Sequence, residues 1–312
     1  MQIHYDLNNF KANKAVVTIG TFDGVHLGHR EVIAELKRLS ALNKGESVIF
    51  TFDPHPRKVL APDETSLRLL STTQEKIRLM NSLDIDHLVI FPFTPEFSRL
   101  TYDEFVSQIL VRQLGMASLV VGYDHRFGQG RKGDFNSLQE LSNSLGFKVE
   151  QLSQLSVNNQ TVSSSKIRMA LEVGAVKLAK NYLGYNYTLT GEVVEGQKLG
   201  RQLGFPTANI DTHDSTKQVP QDGVYAVMVE VGEVLHQGMV NIGVRPTVNS
   251  NADHKTIEVH ILDFNQDIYH TEITLHFVDK IREEQRFNGL DQLKEQLHLD
   301  QLTTQKILSS YA

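Results

Sequence analysis

The chain has 312 residues, of which 40% are hydrophobic and 22% charged, and its length favours two domains of about 150 residues each. This ordinary globular composition excludes a largely disordered or collagen-like chain, and the lack of cysteine excludes disulfides, thiolate nucleophiles and cysteine-based zinc sites. The net charge of −6 is uneven, since residues 1–183 carry 21 Lys/Arg against 19 Asp/Glu and residues 184–312 carry 10 against 18.

The charge pattern and the hydropathy indicate the kind of partner and the compartment. The acidic C-terminal part has the opposite sign from a nucleic-acid-binding surface. Residues 1–14 lack the apolar core of a signal peptide, and no stretch of 18 apolar residues occurs. We therefore expect a cytoplasmic protein that binds neither nucleic acid nor a membrane.

The first 183 residues alternate short apolar runs with helical patterns. The predicted strands are Ala15–Gly20, Ser47–Phe52, His87–Phe93, Ser118–Gly122 and Lys148–Leu152. The apolar stripes between them are Val32, Leu36 and Leu39, then Ile77, Met80 and Leu83, then Phe105, Ile109 and Val111–Leu114. Strands that alternate with helices in this way predict a mostly parallel, doubly wound α/β sheet.

From Tyr185 onward the pattern changes to closely spaced strands with turn residues between them. These are Leu189–Val194, Gly223–Val231, Val234–Ile242, Thr256–Leu262 and Glu272–Ile281, and a helical stripe of Leu290, Leu293, Leu297 and Ile307 ends the chain. This spacing predicts an antiparallel barrel or sandwich followed by a helix. We place the domain boundary between residues 183 and 184.

The first predicted strand leads into a loop rich in glycine and histidine. Residues Gly20–His29 read Gly-Thr-Phe-Asp-Gly-Val-His-Leu-Gly-His, and a helical pattern follows directly. A helix N-terminus at the carboxyl end of a parallel strand attracts phosphate. His26 and His29 add hydrogen-bond donors, and Gly28 between them leaves room for a ligand. A loop in which the histidines merely cap the helix, or a zinc site, remains the alternative.

This decapeptide resembles the N-terminal module of the bacterial bifunctional riboflavin kinase/FMN adenylyltransferases, within the nucleotidylyltransferase superfamily and its H-x-G-H signature. Val162–Arg168, which reads Val-Ser-Ser-Ser-Lys-Ile-Arg, resembles that superfamily's second motif. Val121–Gly128, which reads Val-Gly-Tyr-Asp-His-Arg-Phe-Gly, resembles the segment near nucleotide and flavin. The resemblance implies a Rossmann-like nucleotidylyltransferase domain in residues 1–183.

The serine-rich turn supports this interpretation chemically. Serines at a helix N-cap can also donate hydroxyls to phosphate oxygens, and an arginine one turn later supplies a permanent planar cation. The predicted ATP- and phosphate-binding residues are Gly20, Phe22, Asp23, Gly24, Gly28, Ser163, Ser164, Ser165 and Arg168. The predicted flavin or nucleotide pocket is formed by Asp124, His125, Arg126 and Phe127. His26 and His29 are the predicted catalytic residues of this domain.

Two positions depart from the pattern of the family. Ser165 stands where the family usually has threonine, which keeps the hydroxyl group. His125 stands where a phenylalanine is expected, which bears on the efficiency of adenylyl transfer.

The C-terminal domain opens on a second candidate site. Gly196, Gly200 and Gly204 recur every four residues, which is typical of a loop that covers a phosphate chain. Thr207 and Asn209 are two apart, so on a strand they point to the same face, and their side-chain oxygens are hard ligands suited to Mg²⁺. An ordinary turn is the alternative for such a Thr-x-Asn pair.

Three further strings resemble the riboflavin kinase module. They are Gly204–Asn209, reading Gly-Phe-Pro-Thr-Ala-Asn, then Asn241–Thr247, and Thr256–Phe264 with the family's acidic residue at Glu258. The resemblance implies an antiparallel Greek-key β-barrel with a terminal helix in residues 184–312, with Glu258 as general base and Thr207 and Asn209 at the metal. The predicted ATP-binding residues of the kinase are Gly196, Lys198, Gly200, Gly204, Thr207 and Asn209.

The sequence therefore predicts a two-domain enzyme with riboflavin, FMN and ATP as its small-molecule substrates and Mg²⁺ accompanying ATP. The barrel would phosphorylate riboflavin to FMN, and the N-terminal domain would transfer AMP from ATP to FMN to give FAD and pyrophosphate. One alternative is a kinase with a lost or impaired adenylyltransferase, which His125 favours. Another is a nucleotide-sensing regulator with an RNA-binding barrel, which the acidic charge of residues 184–312 disfavours.

Overall fold

The computed structural model describes residues 1–63, 66–123, 126–153, 156–157, 160–196, 199–245 and 254–311. The chain forms two compact units, Met1–Ser163 and Ser164–Ala312. The first is an α/β unit built on a parallel sheet, and the second contains a closed antiparallel barrel and a terminal helix. The predicted fold class is confirmed in both units.

The first unit follows the predicted alternation of strands and helices. Its elements are β1 (Gln2–His4), β2 (Ala15–Ile19), α1 (Leu27–Asn43), β3 (Ser47–Asp53), α2 (Pro56–Leu60), α3 (Thr73–Asn81), β4 (His87–Pro92), α4 (Tyr102–Glu104), a π-helix (Phe105–Gln113), β5 (Met116–Val121), α5 (Phe135–Leu145), β6 (Lys148–Gln151), β7 (Ser156–Val157) and β8 (Gln160–Thr161).

Six parallel strands form the sheet in the order β1-β4-β3-β2-β5-β6. The chain moves outward from β2 through β3 and β4, then returns to the other side of β2 as β5. This reversal of direction is the place at which an open α/β sheet binds ligands, in the crevice beyond the carboxyl ends of the strands. The glycine–histidine loop follows β2 and so lies at this point.

The sheet is buried on both faces, which explains why its strands are near-continuous apolar runs. Val16 faces one apolar cluster, which contains Ile33 and Leu36 of α1, whereas Val17 faces the other, with Val106 and Leu110 of the π-helix. This rigid double layer fixes the position at which β2 ends.

The second unit begins with two helices and continues as a barrel. Its elements are α6 (Ser164–Glu172), α7 (Val176–Leu183), β9 (Thr188–Val194), α8 (Leu199–Leu203), β10 (Ala208–Asp211), β11 (Gly223–Val231), β12 (Val234–Arg245), β13 (His254–Ile261), β14 (Glu272–Arg282) and α9 (Leu290–Leu308). The barrel closes in the order β10-β13-β12-β11-β14-β9. Strands β11, β12 and β13 are consecutive neighbours and β14 returns beside β11, which is a Greek key.

The boundary between the domains lies in a helical segment. The contacts within the chain divide it between Ser163 and Ser164. The helices α6 and α7 belong to the second unit, because they pack together and α7 contacts β14. The amide of Gln221 also donates to the carbonyl of Leu171 in α6 at 2.9 Å. The boundary between residues 183 and 184 remains a prediction.

Candidate active sites

The glycine–histidine loop of the first unit is a tight turn between β2 and α1. Gly24 has a φ of +78°, and Phe22 and Val25 also lie in the left-handed region, at +47° and +38°. Non-glycine residues adopt this region at a cost that the surrounding structure must offset. The loop is therefore held in a defined shape over the start of α1.

The two histidines of the loop stack on each other at the helix N-terminus. His26 is the N-cap of α1, and its Nδ1 accepts a hydrogen bond from the backbone N–H of His29 at 3.3 Å. The rings are 3.6 Å apart and 13° from parallel. A Cβ at Gly28 would lie 3.3 Å from the His26 ring, which explains the glycine between them.

The surroundings of His29 keep its imidazole neutral. Burial lowers the pKa of His29 well below 6.5, and the nearby His26 and Lys76 lower it further. Its Nδ1 is buried and has no hydrogen-bond partner among the described residues. An orphaned polar atom at a helix N-terminus is typical of a binding site, since burial without a partner is costly.

Asp23 is held by hydrogen bonds to backbone amides from a distant part of the chain. The residue is buried, and its Oδ1 accepts the backbone N–H groups of Leu70 at 2.8 Å and Ser71 at 3.1 Å. The N–H of Gly24 in turn donates to the Ser71 hydroxyl at 3.1 Å. Asp23 and Gly24 thus anchor the loop to the segment before α3, and the role of Asp23 at the phosphates remains a prediction.

The remaining predicted residues of this loop pack around the histidines. Phe22 is buried, and its ring meets the His29 ring edge-on at 5.1 Å. A Cβ at Gly20 would lie 3.2 Å from the Phe22 ring. Phe22 and Gly20 thus support His29, and their place in the ATP site remains a prediction.

The segment after β5 lies at the same edge of the sheet, because β5 is the parallel neighbour of β2. Phe127 is buried and pairs through its backbone with Gly133, and the Arg126 guanidinium is 4.0 Å from the Asp134 carboxylate. Asp124 and His125 lie outside the described residues. The two predicted segments of this unit thus follow neighbouring strands at one edge of the sheet, and the pocket itself remains a prediction.

A group of aromatic rings at this edge was missed in the sequence. Phe52 ends β3 and Phe93 follows β4, and both rings contact Phe97, at 5.6 Å and 5.4 Å between centroids. All three are only partly buried. The signal was the Phe-Pro-Phe string that spans the end of β4, and such a surface suits a planar ring system.

The serine-rich turn stands at the division between the units. Ser163 ends the first unit, and α6 begins at Ser164 with Ser165 exposed in its first turn. Ile167 and Leu171 are buried, while Arg168 is partly exposed. The phosphate-binding role of this turn remains a prediction.

The glycines of the second unit allow close packing against β10. A Cβ at Gly196 would lie 2.1 Å from Nδ2 of Asn209, and one at Gly200 would lie 2.3 Å from the carbonyl of Phe205. Gly200 lies in the short helix α8 and Gly204 ends it with a φ of +85°. The expected loop is therefore partly helical, and Lys198 lies outside the described residues.

Three polar side chains of the predicted kinase site meet across neighbouring strands. Asn209 of β10 is opposite Glu258 of β13, and Glu258 is opposite Asn241 of β12 on its other side. The Thr207 hydroxyl is 3.5 Å from Oε2 of Glu258. The sequence found Thr207, Asn209 and Glu258 but missed Asn241, which opens the Asn-Ile-Gly-Val-Arg string.

Two cavities meet at Thr207. One, of about 370 Å³, is lined by Leu203, Phe205, Thr207, Met239, Asn241, Glu258, His260, Arg282, Phe287, Leu293, Leu297 and Asp300, among others. The other, of about 470 Å³, is lined by Val193, Arg201, Thr207, Val259 and Phe264–Tyr269, among others. Of these two cavities, Glu258 lines only the first, in which apolar and polar side chains are mixed, whereas Thr207 lines both.

The comparisons with known proteins agree with this geometry. A family model described as FAD synthetase matches residues 9–166, and one described as riboflavin kinase matches residues 183–308. The bifunctional riboflavin kinase/FMN adenylyltransferase of Escherichia coli K12 is 37% identical, over 97% of this chain and 95% of its own. That of Pseudomonas fluorescens is 38% identical, over 96% of each chain. The chain belongs to the bifunctional riboflavin kinase/FMN adenylyltransferase family.

A solved structure is similar over nearly the whole length of the chain. It is a crystal structure from Streptococcus pneumoniae described as a macrolide-efflux protein, with a TM-score of 0.88 and 29% identity, covering 97% of this chain and 98% of that one. In the described part of this family member, no helix has the length and hydropathy to cross a membrane. The described residues also contain no cluster of three or more His, Asp or Glu side chains arranged to hold a metal ion.

One wall of the kinase cavity of this family member is held in place by an ion pair that the sequence did not predict. The Arg282 guanidinium binds the Asp300 carboxylate through Nε at 3.0 Å and Nη2 at 2.9 Å. Asp300 is 1% exposed and also accepts from Gln296 at 2.9 Å. The pair fixes α9 to the end of β14, so that Leu293 and Leu297 form one wall of the cavity.

Proposed function

We propose that the two transfers of flavin cofactor synthesis take place at two separate sites in this chain. The barrel phosphorylates riboflavin with ATP to give FMN, and the first unit transfers AMP from ATP to FMN to give FAD and pyrophosphate. The observation that carries the proposal is that each unit has its own convergent set of polar groups: the His26–His29 pair in one, and Thr207, Asn209 and Glu258 in the other.

The two cavities at Thr207 divide the substrates of the kinase between them. The first, with Phe205, Met239 and Leu297, suits the flat and largely apolar isoalloxazine ring. The second lies on the other side of Thr207 and takes the nucleotide. The γ-phosphate and the 5′-hydroxyl of the ribityl chain then meet beside Thr207 and Glu258.

Glu258 is the general base of the kinase step. Its carboxylate accepts the proton of the ribityl 5′-hydroxyl as that oxygen bonds to the γ-phosphorus and the bond to the ADP oxygen breaks. The residues fit the magnesium ion of MgATP, since Thr207 and Asn209 offer neutral oxygen ligands next to a carboxylate. When bound, the ion neutralises charge that develops on the phosphates.

The first unit orients its substrates and stabilises charge without a protein nucleophile. A phosphate oxygen of FMN bonds to the α-phosphorus of ATP, and the bond from that phosphorus to pyrophosphate breaks. The helix N-terminus, the His26 imidazole and the neutral imidazole of His29 hydrogen-bond the phosphate oxygens. The partly exposed rings of Phe52, Phe93 and Phe97 offer a stacking surface for the flavin. The phosphate-binding role of Ser163–Ser165 and Arg168 is part of this proposal and follows from their N-cap and cation chemistry and from the resemblance. A cytoplasmic location, expected from the absence of a signal-peptide pattern, and the absence of nucleic-acid partners, expected from the acidic charge of residues 184–312, are part of it as well.

The kinase assignment is tested with Glu258→Gln, which keeps the shape of the side chain but cannot accept the proton. We expect kcat for FMN formation to fall by about 10²- to 10⁴-fold, with little change in KM for riboflavin. Glu233→Gln, an exposed glutamate in the turn between β11 and β12, is the matched control, and it keeps kcat within a few-fold. Wild-type kcat in the Glu258 variant would refute its role as base.

The adenylyltransferase assignment is tested by supplying the unmodified enzyme with FMN, ATP and Mg²⁺. We expect FAD and pyrophosphate in equal amounts, measured by chromatography and a coupled phosphate assay. If no FAD forms under conditions in which riboflavin is still phosphorylated, the chain is a kinase alone and the second activity must be withdrawn.

A further inference from the structure

Lys76 of α3 is a buried cation with almost no compensation from the protein. It is 6% exposed, and its ammonium group donates one long hydrogen bond, of 3.4 Å, to the Thr51 hydroxyl. Among the described residues it makes no ion pair within 4.0 Å. An ammonium group has three donors, so two of them have no partner in the described structure.

Leaving an ammonium group in this state is unfavourable. Removing a charge from water costs several kcal/mol unless an opposite charge and hydrogen bonds replace the water. The nearest carboxylates do not supply them, since Asp23 is bound to the amides of Leu70 and Ser71, and Asp53 is exposed. Burial accordingly lowers the pKa of Lys76, although Asp23 and Asp53 act in the opposite direction.

The position of Lys76 connects it to the phosphate loop of the first unit. Its partner Thr51 is fully buried and donates to the carbonyl of Thr21, which lies in the loop between β2 and α1. Lys76 also lies close enough to His29 to lower the pKa of that imidazole. The unused ammonium donors and the orphaned Nδ1 of His29 therefore belong to the same site.

We propose that Lys76 is a further catalytic residue of adenylyl transfer, which binds the triphosphate of ATP and stays with pyrophosphate as it leaves. A polyphosphate supplies the negative charge and the acceptor oxygens that the ammonium group lacks. A fixed cation in a buried site also stabilises the charge that passes to the leaving group. This inference rests on the proposed adenylyltransferase site.

A purely structural role makes opposite predictions about stability. If Lys76 served only to tie α3 to β3 through Thr51, its removal would lower the stability of the enzyme without ligand. If it is a binding group, a side chain of the same length without charge stabilises the empty enzyme or leaves it unchanged, because a costly desolvated charge is gone.

The experiment compares Lys76→Met and Lys76→Arg with Lys148→Met, an exposed lysine of β6. Each full-length variant is assayed for FAD formation, for FMN formation as an internal measure of folding, and for the KM of pyrophosphate in the reverse reaction. Thermal unfolding is recorded without ligand. Pyrophosphate is the probe because only adenylyl transfer releases it.

We expect Lys76→Met to lose roughly 100-fold in kcat/KM for FAD formation and to raise the KM for pyrophosphate. Its Tm without ligand and its FMN formation match the wild type, and Lys76→Arg, which keeps the charge, retains more activity. Lys148→Met is unchanged in all measurements.

Three results would overturn the inference. Full FAD formation in Lys76→Met, when His29→Ala has lost it, removes Lys76 from the site and leaves the proposed function intact. Full FAD formation in both variants removes the proposed site as well. A lowered Tm in Lys76→Met, with an unchanged KM for pyrophosphate, assigns Lys76 to structure alone.

Discussion

The imidazole of His29 illustrates how single residues are tuned in this protein. Its ring is stacked on His26, its Nδ1 is buried, and Lys76 lies nearby, so protonation is disfavoured from three directions. A neutral ring keeps one donor and one acceptor at the helix N-terminus, which suits the binding of phosphate oxygens and their release. The sequence motif predicted that His26 and His29 lie together at the helix N-terminus, but it did not predict the protonation state of His29.

The lowered pKa of His29 has a consequence for stability. In the unfolded chain a histidine takes up a proton near pH 6.5, whereas the folded enzyme resists this until the pH is much lower. The unfolded state therefore binds more protons below pH 6.5, and stability falls as the pH drops through that range. Well above pH 7, His29 binds no proton in either the folded or the unfolded state, so its contribution to the pH dependence of stability vanishes.

We predict that His29→Gln removes this part of the pH dependence. Between pH 6.5 and pH 5.5 the wild type loses up to about 1 kcal/mol relative to the variant, in urea unfolding followed by circular dichroism. At pH 7.5 and pH 8.5 the difference between the two proteins is constant. If the free energies of unfolding of the two proteins, plotted against pH, stay parallel down to pH 5, His29 titrates normally in the folded enzyme.

Lys76 shows where the sequence fails at the scale of residues. It precedes Ile77 in an amphipathic stripe and, in the sequence, resembles any lysine on the outer face of a helix. Lys76 is buried because α3 packs beside β3. This burial depends on residues that are distant in the sequence, so the residues around Lys76 do not indicate it. The anchoring bonds of Asp23 could not be predicted for a related reason, because its partners Leu70 and Ser71 are distant in the sequence.

At the scale of elements, burial decided what the sequence could predict. The central strands are covered on both faces, so their apolar runs stood out, and the predicted strand β3 agrees with Ser47–Asp53 to one residue. The exposed β1 has three residues, without an apolar run, and was missed. The stripe that begins at Phe105 predicted a helix, but the chain forms a π-helix, in which Leu114 donates to Ile109 five residues back.

The terminal helix α9 is the element on which the kinase cavity depends. Its inner face brings Leu293 and Leu297 to the cavity, and its anchor is the bidentate pair of Arg282 and Asp300. Because Asp300 is almost fully buried, the loss of its carboxylate leaves the guanidinium unpaired near the cavity wall.

We predict that Asp300→Ala destabilises the second unit by about 3 kcal/mol and abolishes most FMN formation. FAD formation from supplied FMN continues, because the first unit has its own core. Urea unfolding and the two product assays measure this. Thr303→Ala, on the exposed face of the same helix, is the control and keeps both activities. Equal loss of FMN and FAD formation in the Asp300 variant would contradict the assignment of α9 to one site.

At the scale of the whole molecule, the order of motifs along the chain was the most informative signal. Six segments match the family in sequence order, and the relatives align over more than 90% of the chain. Both fold types were therefore predictable, whereas the division by packing between Ser163 and Ser164 was not. The helices α6 and α7 look like a continuation of the α/β pattern, and only their contacts assign them to the second unit.

The central claim is that the two transfers use two independent sites, and a crossed assay tests it most directly. His29→Ala and Glu258→Ala are each given riboflavin with ATP in one reaction and FMN with ATP in another, and both products are quantified by chromatography. We predict that His29→Ala makes FMN at the wild-type rate but loses FAD formation by about 100-fold, while Glu258→Ala shows the reverse. Parallel loss of both products in either variant would contradict two separate sites.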